Sequence, residues 1–471
     1  MAKIISQDTF DGVVQENVLE FSMSPAEAKE ETIKQFEAQG INLANIIKDL
    51  AVNPQSGKPL INEMVDKIKT HIGQKEADTP QLLDQLAILD EECQKSLAHR
   101  VLAGKNGAHD ALITLLEQTL AAAETEPERD QHDAVLKKCL QAVNSLTNKQ
   151  PDLFDAEAMA VVLKLLALKQ ENRLEITILT LQWLQKACIM HEVNRQNIMN
   201  TPALKLLKPL LTKDNARLMS ELTAVFRFLV LDDDIRMEFG CAHEHARQIA
   251  NEFLLPLVEL LPAYQEVDVL GDLLLTIGTL AVRQELCTAI DEAGGLKTIF
   301  EIMSNNLEEV RLNREALKLL RAMAGHDAVK AHIVNQGVAP IIKQLLETHQ
   351  SNENIVAAAL ACITTLTLRV KEHSSAFFET GIAEVLVEAM RTHSSNKIVQ
   401  RNGAWAIRNM VSRSRSQCET WISFGVEDLL NTAMTEHPSV AQDIKAALRD
   451  LGCTVQLREE WTGTAEKKIA A

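Results

Sequence analysis

The sequence predicts an all-α solenoid, a fold in which short helical units stack one after another. Three observations support this prediction. The chain has 471 residues, whereas a single hydrophobic core rarely grows beyond about 250–300 residues. Aromatic residues make up only 4% of the chain, while Leu, Ala and Ile are abundant, which favours helix over sheet. Finally, one sequence pattern recurs at a nearly constant interval, as in repeat proteins.

The recurring pattern is a glycine followed by an apolar helical stretch. It reads GLKTIFEIM from Gly295, GVAPIIKQL from Gly337, GIAEVLVEA from Gly381 and GVEDLLNTA from Gly425, at spacings of 42, 44 and 44 residues. A period of about 40–47 residues is typical of units with two or three helices. Weaker starts upstream, which bring the expected number of units to about eight, lie at Phe253, Thr201, Glu157 and Gly107.

The unit at Gly381 illustrates the predicted elements. An apolar helix follows the glycine, a polar loop covers residues 393–397, and a longer helix covers residues 398–411. The chain must turn sharply between a short first helix and the second, and glycine accepts the positive φ of such a turn at little cost. Each helix carries an apolar stripe that it cannot bury alone, so neighbouring units must stack.

Three segments are predicted along the chain: an N-terminal helical extension or cap (residues 1–100), the solenoid (residues 101–461) and a disordered tail (residues 462–471). In the extension, Ser24-Pro25-Ala26-Glu27 has the spacing of a capping box, Gly40 suits a helix end, and Thr79-Pro80 starts a further helix.

Composition excludes several function classes. The net charge of −17 argues against nucleic-acid binding, which requires a surplus of Lys and Arg. The eight cysteines contain no CxxC pair and are expected to be reduced core thiols. No signal-peptide core and no run of about 18 apolar residues is present. We therefore expect a soluble, monomeric, intracellular protein without membrane contact, in the cytoplasm and with the nucleus as a second location.

The segment GAWAIRNMVS (403–412) resembles the third helix of an armadillo repeat, and residues 9–46 resemble the opening of a known armadillo-repeat protein. The resemblance implies an all-α, right-handed superhelical solenoid of armadillo-type repeats with an N-terminal helical extension. It also implies a protein-interaction scaffold or adaptor that binds protein partners and has inherited no catalytic residues.

Armadillo families that hold extended peptides, such as the importin-α-like and β-catenin-like proteins, use an Asn on each third helix to bind the peptide backbone. Among the eight aligned positions here, only Asn409 is Asn. The seven others are Ser145, Lys186, Phe228, Thr279, Ala322, Thr365 and Asp450. An importin-like nuclear transport adaptor therefore stays a second hypothesis that the missing Asn residues oppose.

Arginine is more regular than asparagine in this alignment. The preceding position holds Arg227, Arg321, Arg408 and Arg449, and Arg314 and Arg401 lie seven residues before two of them. Arg401 also lies four residues before Trp405, a spacing that suits a cation–π contact. The residues predicted to bind an acidic or phosphorylated partner segment are Arg314, Arg321, Arg401, Trp405, Arg408, Asn409 and Arg449. In the alternative interpretation, Trp405 is ordinary packing and acidic neighbours such as Glu315 or Glu384 neutralise the arginines.

Chemistry-bearing motifs are scarce. Cys241-x-His243-x-His245 is a compact set of metal-ligand residue types, but a structural zinc site needs four ligands and no second cluster accompanies it. Nucleotide-binding and hydrolase motifs such as GxxxxGK[ST], GxGxxG, HExxH and GxSxG do not occur. The sequence predicts no cofactor, no bound metal and no enzymatic activity, with a metal-dependent activity at this triplet as a third hypothesis.

Overall fold

A computed structural model describes residues 3–44, 46–48, 50–51, 53, 58–72, 78–122, 129–168 and 173–455. The chain is 77% helical, with 26 α-helices and no β-strand among the described residues. An isolated bridge joins Lys3 and Ile41. The predicted all-α fold is therefore confirmed. The tail predicted at residues 462–471 lies outside the described part of the chain.

The helices fall into two compact units, residues 1–246 and 247–471. The helices that begin in the first unit are α1 (Gln7–Glu20), α2 (Pro25–Ala38), α3 (Leu60–Ile72), α4 (Thr79–Lys95), α5 (Leu97–Lys105), α6 (Ala108–Ala122), α7 (Arg129–Leu146), α8 (Ala156–Ala167), α9 (Leu174–Cys188), α10 (Glu192–Met199), α11 (Ala203–Leu207), α12 (Ala216–Leu229) and α13 (Ala242–Leu260).

The helices of the second unit follow in the same chain order. They are α14 (Val267–Leu280), α15 (Gln284–Glu292), α16 (Gly295–Asn305), α17 (Val310–Met323), α18 (Asp327–Asn335), α19 (Val338–Thr348), α20 (Glu353–Leu366), α21 (Lys371–Glu379), α22 (Ile382–Thr392), α23 (Lys397–Val411), α24 (Cys418–Ser423), α25 (Val426–Glu436) and α26 (Ala441–Leu451).

In the first unit, two layers of helices stack in chain order. One layer consists of α4, α7, α9 and α12, and the other of α3, α6, α8 and α11, with each helix packed on the next of its layer. Because α3 and α4 already follow this pattern, the stack extends upstream of residue 101. The division of the chain at residue 100 stays a prediction.

The N-terminal pair α1 and α2 has a small core of its own, formed by Phe10, Phe36, Leu43 and Ile46. The capping box predicted at the start of α2 is present, since the Ser24 hydroxyl accepts from the Glu27 amide and the Glu27 carboxylate accepts from the Ser24 amide. These two bonds satisfy backbone donors that a helix start otherwise leaves free.

In the second unit, each repeat has three helices, and the glycine turn lies between the first and the second. Gly337, Gly381 and Gly425 have φ values of +90°, +78° and +76°, as predicted. The prediction for Gly295 was wrong by one residue, because Gly294 has the positive φ of +77° and Gly295 is the first residue of α16. A Cβ at Gly295 would lie 2.7 Å from the Ile290 carbonyl oxygen, so close packing explains the second glycine.

The weaker start predicted at Phe253 lacks the turn that the glycine positions have. Phe253 is fully buried within α13, which runs without interruption from Ala242 to Leu260. No glycine is available there to adopt the left-handed conformation, so the helix continues through the position where other repeats turn.

Most cysteines are core residues, as predicted: Cys139, Cys188 and Cys362 have no exposed surface.

Candidate partner-binding surface

The third helices of the second unit carry all the residues predicted to bind a partner. They pack on one another in the order α14, α17, α20, α23 and α26. Arg314 and Arg321 belong to α17, Arg449 belongs to α26, and the other four belong to α23. The helix α20, which lies between α17 and α23, supplies none of them. The geometry divides these residues into paired arginines and arginines without a carboxylate partner.

Arg401 and Trp405 form the cation–π contact that their spacing predicts. The Arg401 Cζ atom lies 4.9 Å from the centroid of the Trp405 ring. The Arg401 Nε atom is buried and has no hydrogen-bond partner among the described residues, and no carboxylate pairs with this guanidinium in that part of the chain. Stacking holds the planar group in place, and its partly exposed edge keeps hydrogen-bond donors for a ligand.

Arg321 is exposed on α17 and also lacks a carboxylate partner within the described ranges. Its charge acts on the Cys362 thiol of the neighbouring helix α20: burial raises the pKa of Cys362 to about 12, and the Arg321 charge opposes that rise. Arg321 belongs to α17, which packs directly on α20. Its charge is available to a partner that contacts this part of the surface.

The other arginines are neutralised by acidic neighbours, as the alternative interpretation expects. The Arg314 Nε atom donates to the Glu315 carboxylate over 2.9 Å, and Lys318 contacts the same carboxylate over 3.2 Å. Arg408 and Arg449 share Asp450, over 3.2 Å and 3.0 Å. The Arg408 pair joins α23 to α26, whereas Arg314 and Arg449 pair with the next residue of their own helix. All three are less available to a new anion than an arginine without a carboxylate partner.

Asn409 bridges two third helices. Its Nδ2 atom donates to the Thr364 carbonyl of α20 over 2.8 Å. Two turns earlier in α23, the Asn402 Nδ2 atom donates to the Ala357 carbonyl of α20 over 3.0 Å. One of the two amide hydrogens that a peptide-binding armadillo Asn could offer to its ligand is thus already engaged at Asn409.

Sequence reasoning missed the contribution of α20. Its partly exposed positions carry only short side chains, namely Ala357, Ala358, Thr364 and Thr365. Between the two helices that bear Arg321 and Arg401, the surface is therefore formed by side chains shorter than the arginines on either side. The signal was present in the sequence as the run AAALACITT at 357–365, in which no side chain is long or charged.

The structure rearranges the predicted metal triplet. Cys241 and His245 lie together, but His243 is exposed and outside the cluster. Glu192 of α10 takes its place. The reason is helical periodicity: His243 and His245 both belong to the first turn of α13, and residues two apart in a helix do not share a face.

Comparisons with known proteins place the chain in a family. A family model described as ARMC6 matches residues 61–470, and a second, described as the armadillo repeat-containing protein 6 N-terminal domain, matches residues 2–70. The chain belongs to the armadillo repeat-containing protein 6 family.

Relatives agree with this assignment. The armadillo repeat-containing protein 6 homolog of Drosophila melanogaster is 83% identical over the full length of both chains. The armadillo repeat-containing protein 6 of Homo sapiens is 40% identical, over 98% of this chain and 93% of the human protein.

Solved structures support the armadillo fold for this family member. An engineered protein aligns with a TM-score of 0.56 at 18% identity, over 84% of this chain and all of its own. A structure from work on a phosphorylation switch that controls the interaction between cadherin and beta-catenin aligns with a TM-score of 0.57 at 15% identity, over 82% of this chain and 69% of its own.

Among the described residues, no helix is long and apolar enough to cross a membrane.

Proposed function

We propose that this member of the armadillo repeat-containing protein 6 family is a non-enzymatic interaction scaffold that binds acidic or phosphorylated segments of protein partners. The binding surface consists of Arg321 on α17, the short side chains of α20, and Arg401 with Trp405 on α23. We call these residues the arginine surface. The observation that carries the proposal is that Arg321 and Arg401 lack carboxylate partners in the described chain, although the protein has 65 acidic residues.

Physical chemistry favours an anionic ligand here. A guanidinium offers donors in a planar fork that matches a carboxylate or phosphate, and such charge-assisted bonds are about twice as strong as neutral ones. The Trp405 ring orients the Arg401 fork before a ligand arrives, which reduces the ordering entropy that binding would otherwise cost. Rigid helices on both sides add to this preorganisation.

The proposal can be tested with labelled peptides and the full-length protein. An Asp/Glu-rich peptide, a phosphoserine peptide and a Lys-rich peptide of equal length would be titrated by fluorescence polarisation. We expect the two anionic peptides to bind and the Lys-rich peptide not to bind. Changing Arg321→Glu together with Arg401→Glu should weaken binding at least tenfold, equivalent to about 1.4 kcal/mol or more.

Arg413→Glu is the control, because Arg413 is exposed in the loop after α23 and the substitution makes the same charge change as each of the two single substitutions, Arg321→Glu and Arg401→Glu. This variant should bind within about twofold of the unmodified protein, because Arg413 lies outside the arginine surface. Equal binding by the double variant and the control would refute the arginine surface. Preference for the Lys-rich peptide would instead favour the importin-like alternative, which the engagement of one Asn409 amide hydrogen opposes.

The monomeric state and the cytoplasmic location, with the nucleus as a second site, stay predictions. The scaffold role depends on neither, because the arginine surface lies within one unit of one chain.

A further inference from the structure

A second cluster of reactive side chains lies in the first unit, separate in sequence from the arginine surface. Glu192, Cys241 and His245 each offer one ligand atom, and these three atoms lie within 4.8 Å of one another. Glu192 and His245 are buried, with exposed fractions of 1% and 4%, whereas Cys241 is half-buried. A thiol at the surface thus gives access to two ligands beneath it.

The histidine has the hydrogen bond that metal-binding histidines usually make. The His245 Nδ1 atom lies 3.0 Å from the Leu229 carbonyl oxygen. Because a carbonyl only accepts, Nδ1 carries a hydrogen, and in the neutral imidazole Nε2 is then the nitrogen with the lone pair. A backbone carbonyl on the far ring nitrogen is a common second partner of zinc-bound histidine, since it fixes the tautomer and the ring orientation.

The carboxylate is also held in place. Glu192 Oε1 accepts from the Cys241 backbone amide over 2.6 Å, and Oε2 accepts from Arg195 Nε over 2.8 Å. Arg195 is further anchored by Asp233 and by the Cys188 carbonyl. A carboxylate has about four acceptor positions, so these bonds leave room for a metal. The bond to the Cys241 amide also fixes the thiol-bearing residue against the carboxylate.

The position between two of the ligands is already occupied by an amide group, whose hydrogens carry a partial positive charge. The Gln196 Nε2 atom donates to Glu192 Oε1 over 2.9 Å and to Cys241 Sγ over 3.4 Å. The amide hydrogens therefore lie where a cation would contact the same two atoms. Because Gln196 is one turn from Glu192 on α10, rotation of its side chain is enough to clear that position.

We propose that Glu192, Cys241 and His245 bind one Zn²⁺ ion, with the fourth coordination position open to solvent. Thiolate, imidazole and carboxylate together are the ligand types that zinc prefers. Zinc bonds at about 2.0–2.3 Å place tetrahedral ligand atoms roughly 3.5 Å apart, so the side chains must approach by only about 1 Å. The ion replaces the Gln196 amide at the cluster.

The site joins α10 to the end of the segment that leads from α12 to α13 without a regular helix. Glu192 belongs to α10, whereas Cys241 is the last residue of the segment 230–241 and His245 lies in the first turn of α13. That segment exposes Ile235 and Phe239 almost completely, at 91% and 81%. These two apolar side chains do not pack into the core and so do not hold the segment in place. A bound ion therefore anchors the end of the segment.

Metal titration of the reduced full-length protein tests the site. Zn²⁺ affinity would be measured by competition with a chromophoric chelator, and Co²⁺ would be added to detect thiolate-to-cobalt charge transfer. We expect one equivalent to bind, with the charge-transfer band present. Cys241→Ser should abolish the band and weaken zinc binding at least tenfold, and His245→Gln should weaken it at least tenfold with the band shifted or lost.

Two variants serve as controls: His243→Gln removes the neighbouring exposed imidazole, and Cys453→Ser removes another half-buried thiol. Both should bind zinc like the unmodified protein. Circular dichroism would show that each variant is folded, and zinc should raise the unfolding temperature of the controls but not of Cys241→Ser. Absence of stoichiometric binding, or unchanged affinity in folded Cys241→Ser, would overturn the proposal.

Discussion

Gly381 shows how one residue fixes a turn of the repeat. Its φ is +78°, and the nearest atom to an added Cβ would be Lys343 Nζ at 3.9 Å. Space is therefore available, and the backbone conformation alone makes glycine favourable. For most residues the left-handed conformation costs about 1–2 kcal/mol, whereas Asn adopts it more readily.

We accordingly expect Gly381→Val to destabilise the second unit by about 1–2 kcal/mol and Gly381→Asn by less than half as much. Hydrogen exchange of the α21 and α22 amides under native conditions would measure both effects. Equal protection in the two variants would show that the left-handed backbone is not the cause.

Lys186 of α9 is a half-buried cation at the position that aligns with Asn409 of α23. Its Nζ atom donates to the Asn144 backbone and side-chain oxygens, each over 2.8 Å. Burial lowers the pKa of Lys186 to about 8, although the carboxylates of Asp90 and Glu221 act in the opposite direction. In the unfolded chain, a lysine keeps a pKa of about 10.4.

Between pH 8 and about 10.4, the unfolded state therefore binds one more proton at this position than the folded state. Stability then rises with pH, because unfolding must take up a proton. Urea denaturation across this range should show the native protein gaining stability relative to Lys186→Met, in which this proton is absent. A constant difference between the two proteins would show that Lys186 titrates normally.

At the scale of elements, a row of histidines joins successive repeats of the second unit. The Nε2 atoms of His349, His393 and His437 contact the carbonyl oxygens of Leu307, Gln350 and Ser394, over 2.6, 2.9 and 2.7 Å. Each histidine follows the second helix of its repeat and reaches a carbonyl 42 or 43 residues upstream. The three imidazoles thus set the spacing of loops between neighbouring repeats.

Removing one bridge should loosen one junction only. We expect His393→Ala to cost about 1 kcal/mol, the usual net contribution of one hydrogen bond. Faster hydrogen exchange should be confined to the loops at residues 349–352 and 393–396. The control is Ser395→Ala, an exposed position of the same loop. An effect of equal size in the control, or one spread over the whole unit, would contradict the assignment of the bridge.

The same scale explains why one pairing was not predicted, whereas Arg314 and Arg449 pair with acidic residues next to them in the chain. Spacing along one helix showed which arginines recur, and it correctly predicted the contact of Arg401 with Trp405. It did not show that Asp450 of α26 pairs with Arg408, because that contact joins residues 42 positions apart. Pairing between helices depends on how neighbouring repeats are placed, which a pattern within one helix does not contain.

For the whole molecule, repeat architecture keeps interactions local. Each helix contacts the adjacent repeats of its own unit, so the stability of each unit is approximately a sum over repeats and their junctions. The two proposed sites belong to different units, the arginine surface to residues 247–471 and the zinc cluster to residues 1–246. Substitutions in one site should therefore leave binding at the other unchanged.

The sequence by itself determined the helical class, the armadillo period, the glycine turns at 337, 381 and 425, and the capping box of α2, because each depends on residues close together along the chain. Only the tertiary structure decided that Asn409 is occupied by a carbonyl of α20, and that Glu192 rather than His243 joins Cys241 and His245. Those contacts join residues more than 40 positions apart, and their partners depend on how repeats pack rather than on local spacing.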